Sequence, residues 1–263
     1  MTERILLGQY VAGHSFWHRL DPRAKILWTI LWMGTLFAVS TVWGYMAFVG
    51  VLLLVVAISR LPVGALLRGV RPLLYLIVFT VAFNVLFTPG VVLWRWGFLT
   101  VTREGLVTAA QVTARLLLLL TGASVLTLTT SPLALADGLE ALLRPGQRWG
   151  LPAHEMAMMM SIALRFIPTL LEETEKIMKA QKARGADFES GNLLTRARSL
   201  IPVLIPLFVN AFRRADDLAL AMEARAYRGG QGRTHWRELQ WGWADSATLL
   251  ASVVLLLGVA WYL

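Results

Sequence analysis

The sequence contains no cysteine, and charged residues make up only 16% of its 263 residues. Without cysteine the chain can form no disulfide, no cysteine-ligated metal site and no thiol nucleophile. The phosphate loop G-x-x-x-x-G-K-[ST] is also missing, so we expect no ATP bound through that motif. Of the four histidines, His14 and His18 alone have a spacing that could suit a metal, but a pair beside Trp17 is more typical of a membrane boundary. The other two are His154 and His235, and we predict no metal site and no catalytic residue.

Charge is absent from four long stretches, and these stretches indicate the class of protein. They cover residues 26–59, 72–94, 116–136 and 246–263 of a chain that is 57% hydrophobic, with a mean hydropathy of +0.60. A membrane-spanning helix needs roughly 20 apolar residues, and the first stretch is long enough for two short spans with a turn near residues 40–44. We therefore predict an all-α polytopic membrane protein with about five transmembrane helices. The predicted spans lie at about 25–40, 43–59, 72–90, 107–130 and 244–263. Asp21-Pro22 predicts the start of the first, with Asp as the N-cap and Pro at the first helical position, and Ser131-Pro132 predicts a cap that opens a short helix at 133–143.

The net charge of +9 is carried by the segments between these spans. Basic residues precede the first span, separate the second from the third, and are most numerous between the fourth and the fifth. The opposite side has only Arg95 and Arg103, so the positive-inside rule predicts a cytoplasmic N-terminus and an external C-terminus in the cell membrane. This distribution accounts for the charge without a nucleic-acid partner. The N-terminal MTERILLGQYVAGH has no apolar core followed by a cleavage site, so we expect no cleaved leader.

Residues 131–240 are predicted to form a module on the cytoplasmic side of the membrane. The organisation is then an N-terminal segment with transmembrane helices 1–4 at 1–130, this module, and transmembrane helix 5 at 241–263. The module contains two long helical patterns, at about 153–184 and 193–228, which end at Gly185 and at Gly229-Gly230. We interpret both as amphipathic helices in or under the membrane interface. The alternative is that each is a further span, which would give seven.

The two helical patterns end in related sequences, AQKARGADF at 180–188 and AMEARAYRG at 221–229. Each helix has a stripe of apolar or small residues with helical spacing, which we predict to be its packing face. The stripes are Met156, Met160, Ala163, Ile167, Leu170, Thr174 and Ile177 in the first helix, and Ile205, Phe208, Phe212, Ala215, Leu218 and Met222 in the second. Seven residues, or about two turns, beyond Ile177 and Leu218, each stripe continues into the arginine, Arg184 or Arg225. An arginine in a last helical turn can simply complement the helix dipole. Its occurrence in two similar endings, between small residues that admit a close partner backbone, favours two similar sockets on a cytoplasmic partner.

These residues resemble a known family, the T component of energy-coupling factor transporters, which is the transmembrane coupling subunit of a class of ABC importers. The resemblance covers nearly the whole chain. It is carried by GQYVAGHSFWHRLDPRAKIL at 8–27, ARLLLLLTGASVLTLTTSPLALADGLE at 114–140, MMMSIALRFIPTLLEETEKIMKAQKARGADF at 158–188 and LIPLFVNAFRRADDLALAMEARAYRGG at 204–230. The last two contain the family's Ala-Arg-Gly motifs, although the second motif has Ala226 where the family has glycine.

The resemblance implies a non-catalytic subunit with two kinds of protein partner. Two cytoplasmic ABC ATPase subunits would bind the ends of the coupling helices, and those ATPases, rather than this chain, would bind ATP and Mg²⁺. A small membrane S component would bind the vitamin or metal ion. The residues implied to contact the ATPases are Ala183, Arg184, Gly185, Ala224, Arg225 and Ala226. The residues implied to contact the S component are Met156, Met158, Met159, Met160, Pro168, Pro202 and Pro206. Flexible methionine surfaces suit several partners. The alternative is that these methionines contact lipid or pack internally.

Polar residues within the predicted spans bear on a second hypothesis, a stand-alone secondary transporter or another polytopic membrane protein. Such a transporter usually needs polar or charged groups near the middle of the membrane. Only Asn84 and Arg115 qualify in this sequence. We expect Asn84 to form a hydrogen bond to another helix, and Arg115 to snorkel or to bind a structural partner such as a backbone carbonyl.

Overall fold

The protein is almost entirely helical, as the sequence predicts. The computed structural model describes residues 10–96, 99–188, 190–227, 229 and 239–262. The helices are α1 (Phe16–Arg19), α2 (Pro22–Ala38), α3 (Val42–Ser59), α4 (Val63–Val70), α5 (Leu74–Phe87), α6 (Arg103–Thr129), α7 (Pro132–Leu143), α8 (Ala153–Ala183), α9 (Leu193–Ser199), α10 (Ile201–Ala224) and α11 (Trp243–Tyr262), and the strands are β1 (Val92–Trp96) and β2 (Leu99–Thr102). Short 3₁₀ turns join α4 to α5 and follow α7.

Contacts divide the chain into two compact units. The first contains residues 1–142 and 238–263, and the second contains residues 143–237. The first unit therefore holds α1 to α6, most of α7 and α11, whereas the second holds α8, α9 and α10. The boundaries predicted from sequence, at 130/131 and 240/241, stay a prediction.

The core of the first unit is built on a ladder of aromatic side chains. Trp17 meets Trp28 edge to face at 5.1 Å, Trp28 stacks on Trp32 at 5.2 Å, and Trp32 lies 4.9 Å from Phe48. All four side chains are buried, and Trp32 and Phe48 are fully so. The four-residue spacing of Trp28 and Trp32 sets them on one face of α2, so this ladder joins α1, α2 and α3.

A close approach of two helices fixes α6 against this ladder. The indole Nε1 of Trp32 donates a hydrogen bond to the Leu118 carbonyl of α6 at 3.1 Å. A Cβ atom on Gly122 would lie 2.4 Å from the same Nε1. Glycine at 122 is therefore what allows the backbone of α6 to pack directly on the indole ring.

The N-terminal signature forms a charged network at the start of α2. Asp21 is the N-cap, as predicted, because its carboxylate accepts from the Arg23 amide at 2.8 Å while the Arg23 guanidinium binds the same carboxylate. The Asp21 amide donates to the buried carboxylate of Asp245 in α11 at 2.7 Å. Lys25 is buried and donates to the carbonyls of His18 and Thr129. The signature thus joins the ends of α1, α2, α6 and α11.

Helices of membrane-spanning length and composition agree with most of the predicted spans. Four segments of the described chain qualify: Val42–Ser59, Val63–Phe87, Arg103–Thr129 and Leu194–Ala224. The first three match the predicted second, third and fourth spans, and the apolar helix Trp243–Gly258 matches the fifth. The helix α2, with 17 residues, occupies the predicted first span. The fourth segment lies in the module that the sequence analysis assigned to the membrane interface.

Two local expectations need correction in the segment between α5 and α6. Asn84 donates to the Thr80 carbonyl within its own helix at 2.8 Å, so the predicted interhelical hydrogen bond is wrong. The second is an antiparallel hairpin that was not predicted, in which Val92 pairs with Thr102 and Trp96 with Leu99. Residues 99–102 alternate between apolar and polar side chains, a pattern that favours a strand.

Candidate functional site

The first arginine ending is the C-terminal cap of α8. Arg184 is the cap residue, and Gly185 follows with the left-handed φ of 88°. The Ala186 amide donates to the Gln181 carbonyl at 2.9 Å, and the Gly185 amide donates to the Lys182 carbonyl at 3.0 Å. These two bonds define a Schellman motif, which satisfies carbonyls that the helix end leaves unpaired. The predicted capping role of Gly185 is confirmed.

The second arginine ending repeats this geometry at the end of α10. Arg225 is the cap residue, with φ −90° and ψ 12°, close to the −87° and 7° of the first cap. The Tyr227 amide donates to the Met222 carbonyl at 3.0 Å, and the Ala226 amide donates to the Glu223 carbonyl at 2.9 Å. Ala226 takes the left-handed position, with φ 55°. The two related sequences therefore form the same Schellman motif.

The end of α10 differs from the sequence prediction. The helix stops at Ala224, before the predicted end at Gly229-Gly230, and Gly230 lies outside the described residues. The reason is that Ala226 adopts the left-handed conformation, which breaks the helix as a glycine would. Gly229 is also left-handed, with φ 83°, but it lies beyond the cap.

The residues predicted to contact ATPases are solvent-accessible at both caps. Every one of the six is exposed in the structure: Ala183, Arg184, Gly185, Ala224, Arg225 and Ala226. Small residues flank each arginine, so a partner could approach the backbone at both ends. A guanidinium presents five donors in a planar fork that matches carboxylates or several carbonyls.

The helix α10 turns a different face inward from the one predicted. The predicted stripe begins with Ile205, Phe208 and Phe212, yet these side chains are 60%, 60% and 68% exposed. Val203 is instead buried, at 3%, and Asn210 is half-buried on the same side. The prediction that the apolar stripe packs is therefore wrong for this half of α10.

A polar cluster between α8 and α10 explains this orientation. Both carboxylate oxygens of Glu173 are used: one accepts from the Asn210 amide, and the other accepts from the Arg214 guanidinium at 2.7 Å. The side chains of Glu173 and Arg214 are 16% and 34% exposed, so the ion pair is partly shielded from water. A charge-assisted hydrogen bond of this kind is stronger than a neutral one. Because Asn210 and Arg214 are four residues apart, they lie on one face of α10.

The contacts between the two helices also establish their relative direction. Gln181, near the end of α8, donates to the Pro202 carbonyl near the start of α10 at 3.4 Å. Glu173, earlier in α8, contacts Asn210 and Arg214, later in α10. The helices therefore run antiparallel. At 1.5 Å per residue, the Arg184 cap lies about 16 Å from the Glu173 contact along α8, and the Arg225 cap lies about 16–22 Å from it along α10. The two caps are therefore at opposite ends of the helix pair, roughly 35 Å apart.

The residues predicted to contact an S component lie along α8 and the start of α10. Met156, Met159 and Met160 are 40%, 58% and 38% exposed. Met158 is half-buried. Pro168 lies inside α8 and is exposed, whereas Pro202 is exposed and Pro206 half-buried in α10. They form no single cluster, but the exposed stripe of α10 begins beside the two prolines and extends their apolar surface.

Arg115 and His18 are polar residues of the first unit, and each forms hydrogen bonds with other residues of the chain. Arg115 donates to the Val39 carbonyl at 2.9 Å, which confirms the predicted backbone partner, and its guanidinium lies 5.9 Å from the rings of Phe37 and Tyr45. His18 binds the Val11 carbonyl and Ser15.

Within residues 10–96, 99–188, 190–227, 229 and 239–262, no three His, Asp or Glu side chains lie close enough to hold a metal ion. His235 is outside these residues.

Comparison with known proteins assigns the chain to a family. The profile of the family described as cobalt transport protein, CbiQ, matches residues 13–236. The chain belongs to this family. Relatives aligned over nearly their full length are named energy-coupling factor transporter transmembrane protein EcfT. The relative from Acidaminococcus fermentans is 53% identical, covering 99% of this chain and 98% of its own. Those from Brevibacillus brevis and Listeria innocua are 49% and 46% identical, covering 100% and 97% of this chain and 99% and 97% of their own.

The resemblance to T components of energy-coupling factor transporters is thereby confirmed. The chain is a membrane-embedded component of a multi-subunit transporter, as the relatives' names and the apolar helices together establish. The family match begins at residue 13 and ends at residue 236, so it includes both Schellman caps and the Glu173 cluster.

Proposed function

We propose that this chain is the coupling subunit of an energy-coupling factor importer, in which each arginine cap binds one of two cytoplasmic ATPase subunits. The observation that carries the proposal is the repetition of one cap geometry at the opposite ends of an antiparallel helix pair. Such a pair has an approximate two-fold axis across its middle. Two similar ATPase subunits offer two similar sockets related by an approximate two-fold axis. The symmetry of the sockets and that of the caps are then matched.

The chemistry of the caps supports binding in a socket. An exposed helix C-terminus carries partial negative charge on its last carbonyls, but the Schellman bonds satisfy several of those carbonyls. A guanidinium that enters a socket must be paired there, since an unpaired buried charge is costly. Carboxylates or convergent carbonyls on each ATPase are the expected partners.

The remaining roles follow from the division of labour in such a transporter. ATP and Mg²⁺ are bound by the ATPases, and this chain is non-catalytic. A separate S component in the membrane binds the vitamin or metal ion and contacts residues distributed along α8 and α10: Met156, Met159, Met160, Pro168, Pro202 and Pro206. ATP-driven movement of the ATPases reaches these residues through the two helices. The complex lies in the cell membrane, with the N-terminus of this chain in the cytoplasm.

Removal of the two guanidinium groups tests the proposal. Truncation of one partner of a buried charge pair costs about 2–5 kcal/mol, so Arg184→Ala combined with Arg225→Ala should abolish co-purification of the ATPases and substrate uptake. The chain itself should still insert and fold, because both arginines are exposed in it. Arg198→Ala removes an exposed arginine of α9 and serves as the control at matched expression. Normal assembly and uptake in the double variant would contradict the proposal.

A further inference from the structure

The Glu173 cluster joins the two coupling helices at a point between their caps. On α8, Glu173 precedes the Arg184 cap, and on α10, Asn210 and Arg214 precede the Arg225 cap. Because the helices are antiparallel, the two caps extend in opposite directions from the cluster. A change in the angle or register of the helices at this point would displace both caps relative to each other.

A further hydrogen bond between the described residues of the two helices restrains that angle only weakly. Gln181 reaches the Pro202 carbonyl at 3.4 Å, which is a long hydrogen bond. The apolar residues that could have formed a broad interface, such as Phe208 and Phe212, are exposed instead. Apolar packing tolerates sliding, whereas a carboxylate that uses both oxygens accepts only a narrow range of geometries.

We propose that Glu173 is a positioning residue: by binding Asn210 and Arg214 together, it fixes the separation of the two arginine caps. The inference rests on the proposed function, because a fixed separation matters to two ATPase subunits only if each cap binds one of them. Movement of either ATPase is then passed to both helices as one rigid body. Without the Glu173 cluster each helix follows its own ATPase, and hydrolysis proceeds with less transport.

The separation of the caps can be measured in the full chain by double electron–electron resonance spectroscopy between two spin labels. The absence of native cysteine allows spin labels at Ala180→Cys and Ala221→Cys, two exposed positions that correspond in the two motifs. In the full chain in lipid nanodiscs we expect one narrow distance distribution. Glu173→Ala should broaden it, whereas Glu172→Ala, which removes the neighbouring exposed carboxylate, should leave it narrow.

Two further variants separate positioning from general loss of structure. Glu173→Gln keeps a group that can accept from Asn210 but loses the ion pair, so it should broaden the distribution less than Glu173→Ala. Exchange of the charges, Glu173→Arg with Arg214→Glu, should restore a narrow distribution. Arg213→Ala, which removes the exposed arginine next to Arg214, is the matched control on α10. An unchanged narrow distribution in Glu173→Ala would overturn the proposal.

The functional readout is the amount of substrate transported per ATP hydrolysed by the assembled transporter. Loss of a charge-assisted bond can shift a two-state equilibrium about tenfold or more, so we expect this ratio to fall about tenfold in Glu173→Ala while both ATPases stay bound. An unchanged ratio alongside a broadened distribution would overturn the coupling role. Normal assembly of the Arg184/Arg225 double variant would instead refute the proposed function, and would leave the effect of Glu173 on cap separation standing.

Discussion

At the scale of single residues, the two caps differ in the residue that takes the left-handed conformation. Gly185 adopts it with φ 88° and Ala226 with φ 55°. A residue with a Cβ atom pays roughly 1–2 kcal/mol for this conformation, and glycine does not. Alanine at position 226 should therefore weaken the cap of α10 without changing its shape.

Replacing Ala226 by glycine and Gly185 by alanine should change the stability of the two caps in opposite directions. Ala226→Gly should stabilise the end of α10 by about 1 kcal/mol, and Gly185→Ala should destabilise the end of α8 by a similar amount. Hydrogen exchange of the Ala186 and Tyr227 amides, which close the two motifs, measures the opening free energy of each cap. Ala224→Gly is the control and should destabilise α10, since glycine within a helix costs about 0.5–1 kcal/mol. Slower hydrogen exchange of the Tyr227 amide in Ala224→Gly than in Ala226→Gly would show that backbone strain at Ala226 does not weaken the cap.

His18 gives the first unit a dependence on pH. Burial lowers the pKa of His18 and outweighs the hydrogen bond to the Val11 carbonyl, which raises it, while the nearby charges of Lys25 and His14 lower it further. The imidazole donates from Nε2 to the Val11 carbonyl at 3.1 Å and has Ser15 Oγ at 2.6 Å from Nδ1. Since the unfolded chain binds the proton more readily, stability should fall as the pH drops below about 6.5, the ordinary pKa of histidine.

Thermal unfolding at pH 7.5 and 5.5 checks this expectation. The midpoint should be lower at pH 5.5, and His18→Gln should remove most of the difference. His14→Gln, a nearby exposed histidine, should leave the difference in place. If the unfolding midpoint of His18→Gln is still lower at pH 5.5 than at pH 7.5, a group other than His18 causes the pH dependence.

At the scale of the helices, the inward face of α10 was not predictable from apolar periodicity. The sequence has two candidate faces, one with Phe208 and Phe212 and one with Val203, Asn210 and Arg214. Periodicity alone favours the first, because burial of apolar side chains usually decides orientation in water. Near a membrane or a membrane partner that argument fails, because lipid or the partner can cover an apolar face that does not pack within the chain. The polar partner on α8, Glu173, then decides which face packs.

Truncations on the two faces should therefore have unequal effects on the helix pair. Val203→Ala removes two buried methyl groups and should destabilise the packed face of α10 by about 1–2 kcal/mol. Phe212→Ala removes a larger side chain that is 68% exposed, and should change that stability by less than about 0.5 kcal/mol. Hydrogen exchange along α8 and α10 in the full chain gives both values. A larger loss in Phe212→Ala would mean that the predicted stripe is the packed face after all.

Local signals predicted the ends of most elements because each end is set by a few neighbouring residues. Asp21-Pro22 predicted the start of α2, Ser131-Pro132 that of α7, and Gly185 the end of α8. The end of α10 was missed because alanine rarely takes the left-handed conformation that ends it.

Contacts between distant residues were harder to predict than helix ends. Lys25 binds Thr129, and Glu173 binds Asn210 and Arg214, across separations that periodicity does not address. The candidate caps were found from sequence because they repeat. The Glu173 cluster occurs once, and a lone glutamate on a polar helix face predicts only a solvated side chain.

At the scale of the whole molecule, binding of the caps to cytoplasmic ATPases requires that α8 and α10 stay on the cytoplasmic side. Leu194–Ala224 has the length and composition of a membrane span, so the alternative of seven spans needs a direct test. In the five-span arrangement, Ser190→Cys should react with an impermeant thiol reagent only in inside-out vesicles. Val92→Cys, in the exposed hairpin between α5 and α6, should react only in right-side-out vesicles. Reaction of position 190 from outside would contradict the five-span topology.

Photo-cross-linking in the assembled transporter tests most directly whether each cap is held by an ATPase subunit. A benzophenone attached at Ala183→Cys or at Ala224→Cys, the exposed alanines before the two arginines, should join this chain to an ATPase from both positions. The same group at Phe212→Cys, which is 68% exposed midway along α10 and about 20 Å from the Arg225 cap along that helix, is the control and should capture an ATPase far less often. Capture of no ATPase from either alanine, or equal capture from position 212, would contradict the proposed binding of the caps.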